Sequence, residues 1–498
     1  MKAALVLATQ VFERHPAFDD PEIDLVLFIE SDAAFRRRRY HSHKIVLLLA
    51  AMRHAADRLA RSGTRVERVG LESGLGFLDG LRALVREHGI DPLAWMSATD
   101  RGIDQRLLRF CTDQGLRTRV YPDALFLTPA PVIDEWFAAA PPSARMEDFY
   151  RWQRRRTGIL MDGDRPAGRR WNFDADNREP LPRTGIDVPA LLVLPHDEIT
   201  RGAIAEVTER FPDAPGDPQN FWLPVAPDSA RAWLGDFVEH RLALFGRYED
   251  AMAEGEPFLF HSVSSALLNI GLLTVEEVVA TTLAARDRVP LASLEGYLRQ
   301  VIGWREYMRG AYRAMPELRE ANHLGQTRRL EPWWYTGCDI PDDLPVPVRT
   351  VLQRVHRWGY AHHIERLMVL GNWFLLQGYD PREAYEWFST MFVDAYEWVM
   401  VPNVQGMSQY ADGGRGAHEA VHLGRRVPAE NGLMVAERSR GARVGVHDRL
   451  LGVPRGARGS ARGQSPARAA AGADAQAAQP VRTQRVRRQR VRTQWWGR

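Results

Sequence analysis

The stretch DLVLFIES (residues 24–31), followed shortly by HSHKIVLLLAAMRHAADRLARSG (residues 41–63), decides the fold of the N-terminal part. The first is a short apolar run bounded by polar residues and reads as a buried strand. The second carries apolar residues at three- and four-residue spacing and ends on Gly63, a plausible helix C-cap. A strand that runs into a helix implies a parallel sheet with helices on its faces. The pattern recurs through residues 1–135, where AALVLA, TRVERVGL and LRTRVYPDALFL read as further strands. This region therefore reads as an α/β domain on a Rossmann-like parallel sheet. Neither GxGxxG nor GxxxxGK[ST] occurs, so the nucleotide-binding forms of that sheet are not indicated.

Beyond the sheet region the composition shifts twice. Residues 136–225 are rich in Pro, Arg and Asp and read as an interdomain connector containing helices, with residues 151–182 as a long irregular loop. Residues 226–414 read as all-helical. Thr274 and Glu277 fit a capping box, Asp380-Pro381 fits an N-cap followed by Pro at N1, and Leu294, Tyr297, Leu298, Val301, Ile302, Arg305 and Met308 recur at helical spacing. Residues 415–498 contain 18 Arg and five acidic residues, a net +13, and no Phe, Tyr, Ile, Lys or Cys. The remaining 48 basic and 58 acidic residues leave the body at −10. The tail reads as disordered and basic, and any nucleic-acid contact by the body must come from a local patch.

With 498 residues the chain has room for several domains. Two cysteines, Cys111 and Cys338, exclude a disulfide framework and a self-contained four-cysteine metal site. No apolar run approaches the roughly 20 residues that span a membrane. The start MKAALVLATQVF reads as a first strand rather than a signal peptide. The expected setting is cytoplasmic, without membrane contact, and the expected state is a monomer.

Four segments of the helical part concentrate chemistry. In residues 248–274, His261, Ser262, Ser264 and Ser265 put small donors near a helix start, where a phosphate would be favoured. The same serines read equally as an ordinary cap. In RQVIGWREY (299–307), Gln300, Trp304 and Arg305 offer a flat ring with amide and guanidinium groups, or simply an amphipathic face with local ion pairs. In GYAHHIERLMVLGNW (359–373), the tandem His362-His363 cannot face the same way on a helix. One of them is a candidate proton donor, against the reading of a satisfied core histidine. In residues 393–414, Asp394, Asn403, Gln409 and Asp412 lie among aromatics and Met407. Pro402 and Gly406 predict a break that frees backbone groups. Seven tryptophans fall between Trp304 and Trp398, either core packing or an electron relay.

Together these segments resemble the photolyase/cryptochrome family, and most closely its bacterial iron–sulfur branch of (6-4) photolyase-like proteins. VLFIES with RRRRYHSHKIVLLLAAMRH, FYRWQRRRTGILM, GRRWNFDADNR, HSVSSALLNIGLLT, RQVIGWREY, GYAHHIERLMVLGNW and VDAYEWVMVPNVQGMSQYADGG carry the resemblance in order through residue 414. It implies an antenna-type N-terminal domain and a helical domain holding FAD. The implied activity is light-driven repair of pyrimidine dimers in damaged DNA, by electron transfer from reduced flavin to a flipped lesion. By resemblance Tyr248, His261, Ser262, Ser264 and Ser265 would hold the flavin diphosphate, and Asp394 and Asn403 would lie near the isoalloxazine and ribityl. His363, with His362 beside it, would resemble the lesion-facing histidine, Gln300, Trp304 and Met407 would line the lesion pocket, and Trp387 with Trp333 or Trp334 would relay electrons. A ribityllumazine antenna would sit near Glu30 and residues 36–44, although ATQVFERH departs from the branch there. The alternatives are a cryptochrome-like light-signalling flavoprotein and an inactive product.

The branch also carries a 4Fe–4S cluster on four cysteines. Only Cys338 matches one of them, so cluster binding is not expected. The tail offers a cause. HEAVHLGRRV (418–427) can be encoded by codons that, read one base later, give TKPYISGGAY, as the branch continues after ADGG. RLLGVPRGAR (449–458) likewise gives GYWAFLAAH. The expectation is a shifted reading frame near Gly414, with a genuine basic DNA-binding tail as the other reading.

Overall fold

The computed structural model describes residues 1–141 and 144–414. The expected basic tail, 415–498, and the expected frame change lie outside the described residues. Five short strands, β1 (Ala3–Val6), β2 (Leu25–Ile29), β3 (Val66–Val69), β4 (Leu93–Met96) and β5 (Thr118–Tyr121), form one parallel sheet in the order β3-β2-β1-β4-β5. The expected α/β class holds. β4, with the sequence LAWM, has no counterpart among the strands read from the sequence. All four of its residues are buried, as in β1 and β2, but none is β-branched, so little in the sequence marks it as a strand.

The sheet's two faces separate cleanly. Leu5, Leu25, Leu27, Leu93 and Trp95 pack with Leu81, Leu84 and Phe110 from the helices Phe77–His88 and Ile103–Gln114. Val6, Val26, Phe28 and Met96 point the other way. They join helix Ser42–Arg61 and a core that runs on into the helical part.

Three devices join sheet and helical part. Helix Arg305–Ala314 grips the chain leaving β5: Arg305 donates to Leu125 O (2.8 Å), Arg309 to Thr128 O (2.7 Å), and Glu306 accepts from Leu127 N (2.8 Å) and Thr128 N (3.1 Å). The Phe126 ring lies 4.3 and 4.2 Å from the two guanidinium carbons. Second, Val11 N donates to Ile270 O (2.9 Å), and Phe12 packs against Gly271, whose φ of +81° and missing side chain both suit the contact. Third, Lys44 is buried and donates to Ser389 O (2.9 Å) and Ala395 O.

The expected connector is divided between its neighbours. Helix Glu198–Arg210 packs on Ser42–Arg61, while helix Met146–Thr157 packs on segment 299–304, where Gly303 admits Tyr150. Residues 151–157 are thus helical rather than loop, because Phe149, Tyr150 and Gln153 bury one face of the turn. The capping box at Thr274–Glu277 forms (2.8 and 3.1 Å), and Asp380 caps helix Pro381–Met391 through Arg382 N (2.9 Å).

Candidate functional site

The helical part encloses a cavity of about 1510 Å³. Three of its walls are π-helical: Arg299–Trp304, Glu365–Gly371 and Val401–Ser408. π-Turns are wider than α-turns and concentrate at functional sites. Each of the three stands where a candidate segment was read from the sequence. The break expected at Pro402 and Gly406 is therefore corrected. The chain stays helical there, with Pro402 in the first turn where its missing N–H costs little.

Ten of the candidate residues line the cavity: His261, Ser262, Ser264, Ser265, Gln300, Trp304, His363, Asp394, Asn403 and Met407. They come from segments up to about 140 residues apart in the chain. The serine turn is tight. Ser262 and Ser264 hydroxyls lie 2.9 Å apart, Ser264 meets Tyr297 OH at 3.1 Å, and Ser265 donates to Asp394 Oδ2 at 2.6 Å. Val263 between them has φ +54°, an uncommon conformation for a β-branched residue. The helix that follows, Ser265–Asn269, spans only five residues, so the hydroxyls and turn amides rather than a long helix dipole face the cavity.

Asp394 is fixed from three sides. Arg366 donates to both its oxygens (2.9 and 3.0 Å), Ser265 to one, and Asn269 Nδ2 to its backbone oxygen (2.9 Å). Burial opposes its ionisation, but Arg366, Ser265 and Lys44 outweigh that and hold the carboxyl below its ordinary range. Arg366 was not singled out from the sequence, although it lies inside GYAHHIERLMVLGNW. Its role depends on a carboxylate 28 positions later.

The tandem histidines part company. His363 is half exposed, with Nε2 3.2 Å from Asp250 Oδ1 on the cavity wall. His362 is wholly buried behind that wall and stacks on His261 (4.7 Å, 14°). Of the pair, His363 therefore lines the cavity and His362 lies behind it. Burial, with neighbouring positive charge, pushes His261 down to about 3 and His362 well below its ordinary value. Glu249, beside Asp250, was also missed. Its Oε2 is buried without a partner on the cavity wall, and burial pushes its carboxyl up to about 7 against the pull of Arg299. Tyr248 is corrected as well. Its ring packs with Phe260 (5.5 Å) in a small separate cluster and does not line the cavity.

The tryptophans form a ladder. Trp333 stacks on Trp334 (4.4 Å), Trp334 meets Trp387 edge-on (5.6 Å), and Trp387 meets Phe388 (5.2 Å), which lines the cavity. Trp333 and Trp334, the two alternatives read from the sequence, both belong to one stack.

The cavity fits a large, polar-ended ligand. It exceeds the roughly 300–1,000 Å³ of ordinary small-molecule sites. Buried atoms without hydrogen-bond partners among the described residues, His261 Nε2, Glu249 Oε2 and Asn177 Oδ1, belong to residues of its walls. FAD, with its diphosphate, ribityl and ring system, suits that inventory. The expected antenna does not suit its residues. Glu30 accepts from Arg53 (2.9 and 2.7 Å), Arg68 (2.7 Å) and Leu71 N (3.3 Å), and Arg36, His41, His43 and Lys44 all bond to backbone oxygens. A 4Fe–4S cluster does not fit either: Cys338 is exposed, Cys111 is buried in the sheet domain, and the chain has no third cysteine.

Three comparisons bear on this geometry. A family model described as deoxyribodipyrimidine photo-lyase-related protein matches residues 4–223. The (6-4) photolyase of Agrobacterium fabrum is 36% identical over 422 residues, covering 82% of this chain and 81% of the relative. A cryptochrome from Synechocystis sp. PCC6803 superposes with a TM-score of 0.57 over 89% of this chain and 86% of its own, at 13% identity. An archaeal photolyase from Sulfolobus tokodaii, solved with two FAD molecules, gives 0.54 over 86% of each, at 12% identity. These last two likenesses concern the fold alone. Among the described residues no helix is long and apolar enough to cross a membrane.

Proposed function

The chain belongs to the photolyase/cryptochrome family, beside the (6-4) photolyase-like proteins, and from that premise we propose that it uses FAD and light to reverse UV-induced pyrimidine dimers in DNA. The observation that carries this reading is the cavity of about 1510 Å³, which gathers ten candidate residues from four segments of the chain. That volume has room for a flavin dinucleotide and an everted lesion. A stacked lesion is out of reach of a buried cofactor, so the damaged bases must leave the duplex.

When bound, FAD supplies light-driven one-electron donation to a lesion held beside it. His261, Ser262, Ser264 and Ser265 would hold its phosphates through ring, hydroxyl and turn donors. Asn403 would orient the ribityl. Asp394 stays ionised and immobile because Arg366 and Ser265 hold it. Gln300, Trp304 and Met407 would line the lesion pocket. His363, oriented by Asp250, and Glu249, whose carboxyl retains a proton near neutral pH, would exchange protons with the lesion. The stack of Trp333, Trp334 and Trp387 would carry electrons from the surface to the cavity.

The test is direct. Purified protein, reduced and illuminated with blue light, is incubated with an oligonucleotide carrying a defined (6-4) or cyclobutane dimer. Reversal of either lesion is expected, and the lesion that reacts names the substrate. Bound FAD without reversal of either would favour a light-signalling flavoprotein. A protein that neither carries nor takes up FAD would overturn both readings.

A further inference from the structure

Trp334, the middle ring of the tryptophan ladder, has an aromatic neighbour that the ladder leaves unused. Its Nε1 donates to the hydroxyl of Tyr379 (3.3 Å), and the two rings stand edge-on, 6.2 Å apart. The same hydroxyl donates to Glu331 Oε2 at 2.6 Å. Trp334 and Tyr379 are buried, whereas Glu331 is partly exposed and pairs with Arg328 (2.5 Å). The backbone fixes this arrangement. Trp334 N donates to Glu331 O (3.1 Å), Arg328 N donates to Gly378 O (3.2 Å), and Asp380 N donates to Arg328 O (2.8 Å), so Tyr379 is held on both sides.

The surroundings suit a phenol that gives up an electron and a proton together. A tyrosine that lost the electron alone would become a cation, and a buried charge is unfavourable. The Arg328 guanidinium, 4.4 Å from the centre of the ring, adds like-charge repulsion. A neutral tyrosyl radical meets neither obstacle, provided that something accepts the proton. Glu331 is placed for that. Burial opposes its ionisation, but the bonds from Tyr379 and Arg328 outweigh burial and hold the carboxyl below its ordinary range. It is therefore an ionised acceptor at neutral pH. Burial and Glu331 together push the Tyr379 phenol up to about 12, so the proton stays on the phenol until the electron leaves.

We propose that Tyr379 is a terminal electron donor to Trp334, with Glu331 as the base that takes its proton. The inference rests on the relay reading of Trp333, Trp334 and Trp387. Once Trp334 has given an electron by way of Trp387 to a photoexcited flavin in the cavity, Tyr379 replaces that electron. The phenolic O–H bond breaks, a new O–H bond forms at Glu331 Oε2, and a neutral tyrosyl radical remains beside a restored indole. A thiol or ascorbate in solution later supplies one electron, and Glu331 returns the proton. Recombination of the separated charges then requires the proton to come back, which lengthens their life.

The test needs no flavin. Azide radicals made by pulse radiolysis of the full chain oxidise indole in preference to phenol, and the indolyl absorption is followed as it gives way to the tyrosyl band. Y379F should lose most of that conversion, and E331Q should slow it about tenfold or more. Conversion unchanged in Y379F would overturn the donor, and an unchanged rate in E331Q would overturn the base. Should either variant misfold, the wild-type chain in D2O decides. A slower conversion than in water is expected, and an equal rate sinks the coupled transfer. Because the pulse acts with or without FAD, failure of the Tyr379–Glu331 pair and failure of the flavin reading are separate results.

Discussion

Arg366 and Asp394, 28 positions apart in the chain, form a two-pronged ion pair (2.9 and 3.0 Å) on the cavity wall, each nearly shut off from water. The pair ties the π-helical segment Glu365–Gly371 to the turn before helix Glu397–Met400. It also fixes a negative charge where a ligand would lie.

Removing one partner leaves the other as an uncompensated buried charge. D394N should lower stability by about 3–5 kcal/mol and loosen FAD, read as a drop in Tm and faster flavin release. A variant as stable as the parent would contradict the account. Because the folded carboxyl is held below its unfolded value, this contribution is present above about pH 4 and disappears as pH falls through the folded value.

Lys44 behaves oppositely. It is one of two lysines in a chain otherwise using Arg. Burial pulls its ammonium down to about 7, although Asp394 and Asp100 resist. The unfolded chain therefore holds the proton more tightly, and stability should rise with pH between about 7 and 10.5. Lys44→Met should flatten that rise by a few kcal/mol. Parallel curves of unfolding free energy against pH for the two proteins would refute it.

At Gly271 a Cβ would come within 2.8 Å of the Phe12 ring, and φ is +81°. Strain and crowding act together at the junction of sheet and helical part. Gly271→Ala should cost about 1–3 kcal/mol in denaturant unfolding. No shift in midpoint would mean that the junction yields.

The tryptophan ladder predicts a photochemical effect that leaves binding intact. Trp387→Phe should keep the flavin content of the protein while slowing its light-driven reduction by external donor at least tenfold. Equal photoreduction rates would show that electrons travel another way.

Residues beyond Gly414 carry a different test. Sequencing the gene across codon 414 should reveal one base inserted or lost, and restoring the frame should raise retained FAD. Clean reads through the present frame would make the basic tail genuine.

Much of the fold was legible. Strands β1, β2, β3 and β5, the capping box at Thr274, the N-cap at Asp380 and the helical spacing of residues 294–308 all arise from local patterns that the structure retains. β4 was not legible, because LAWM carries no β-branched residue and only its place beside β1 and β5 makes it a strand. The segments of the site were legible as unusual clusters, yet their internal geometry was not. His362 and His363 are neighbours in sequence with opposite fates, one stacked in the core and one at the cavity.

What the chain's order of residues determined alone was the sheet–helix alternation, the acidic body and the impossibility of a four-cysteine cluster, since each depends on composition or on contacts within a few turns. What only the tertiary structure decided was pairing. Arg366 with Asp394, Lys44 with the carbonyls of Ser389 and Ala395, and His261 with His362 are brought together by packing of distant segments. Burial there shifts protonation and strands unpaired polar atoms, and burial belongs to the folded chain rather than to any stretch of it.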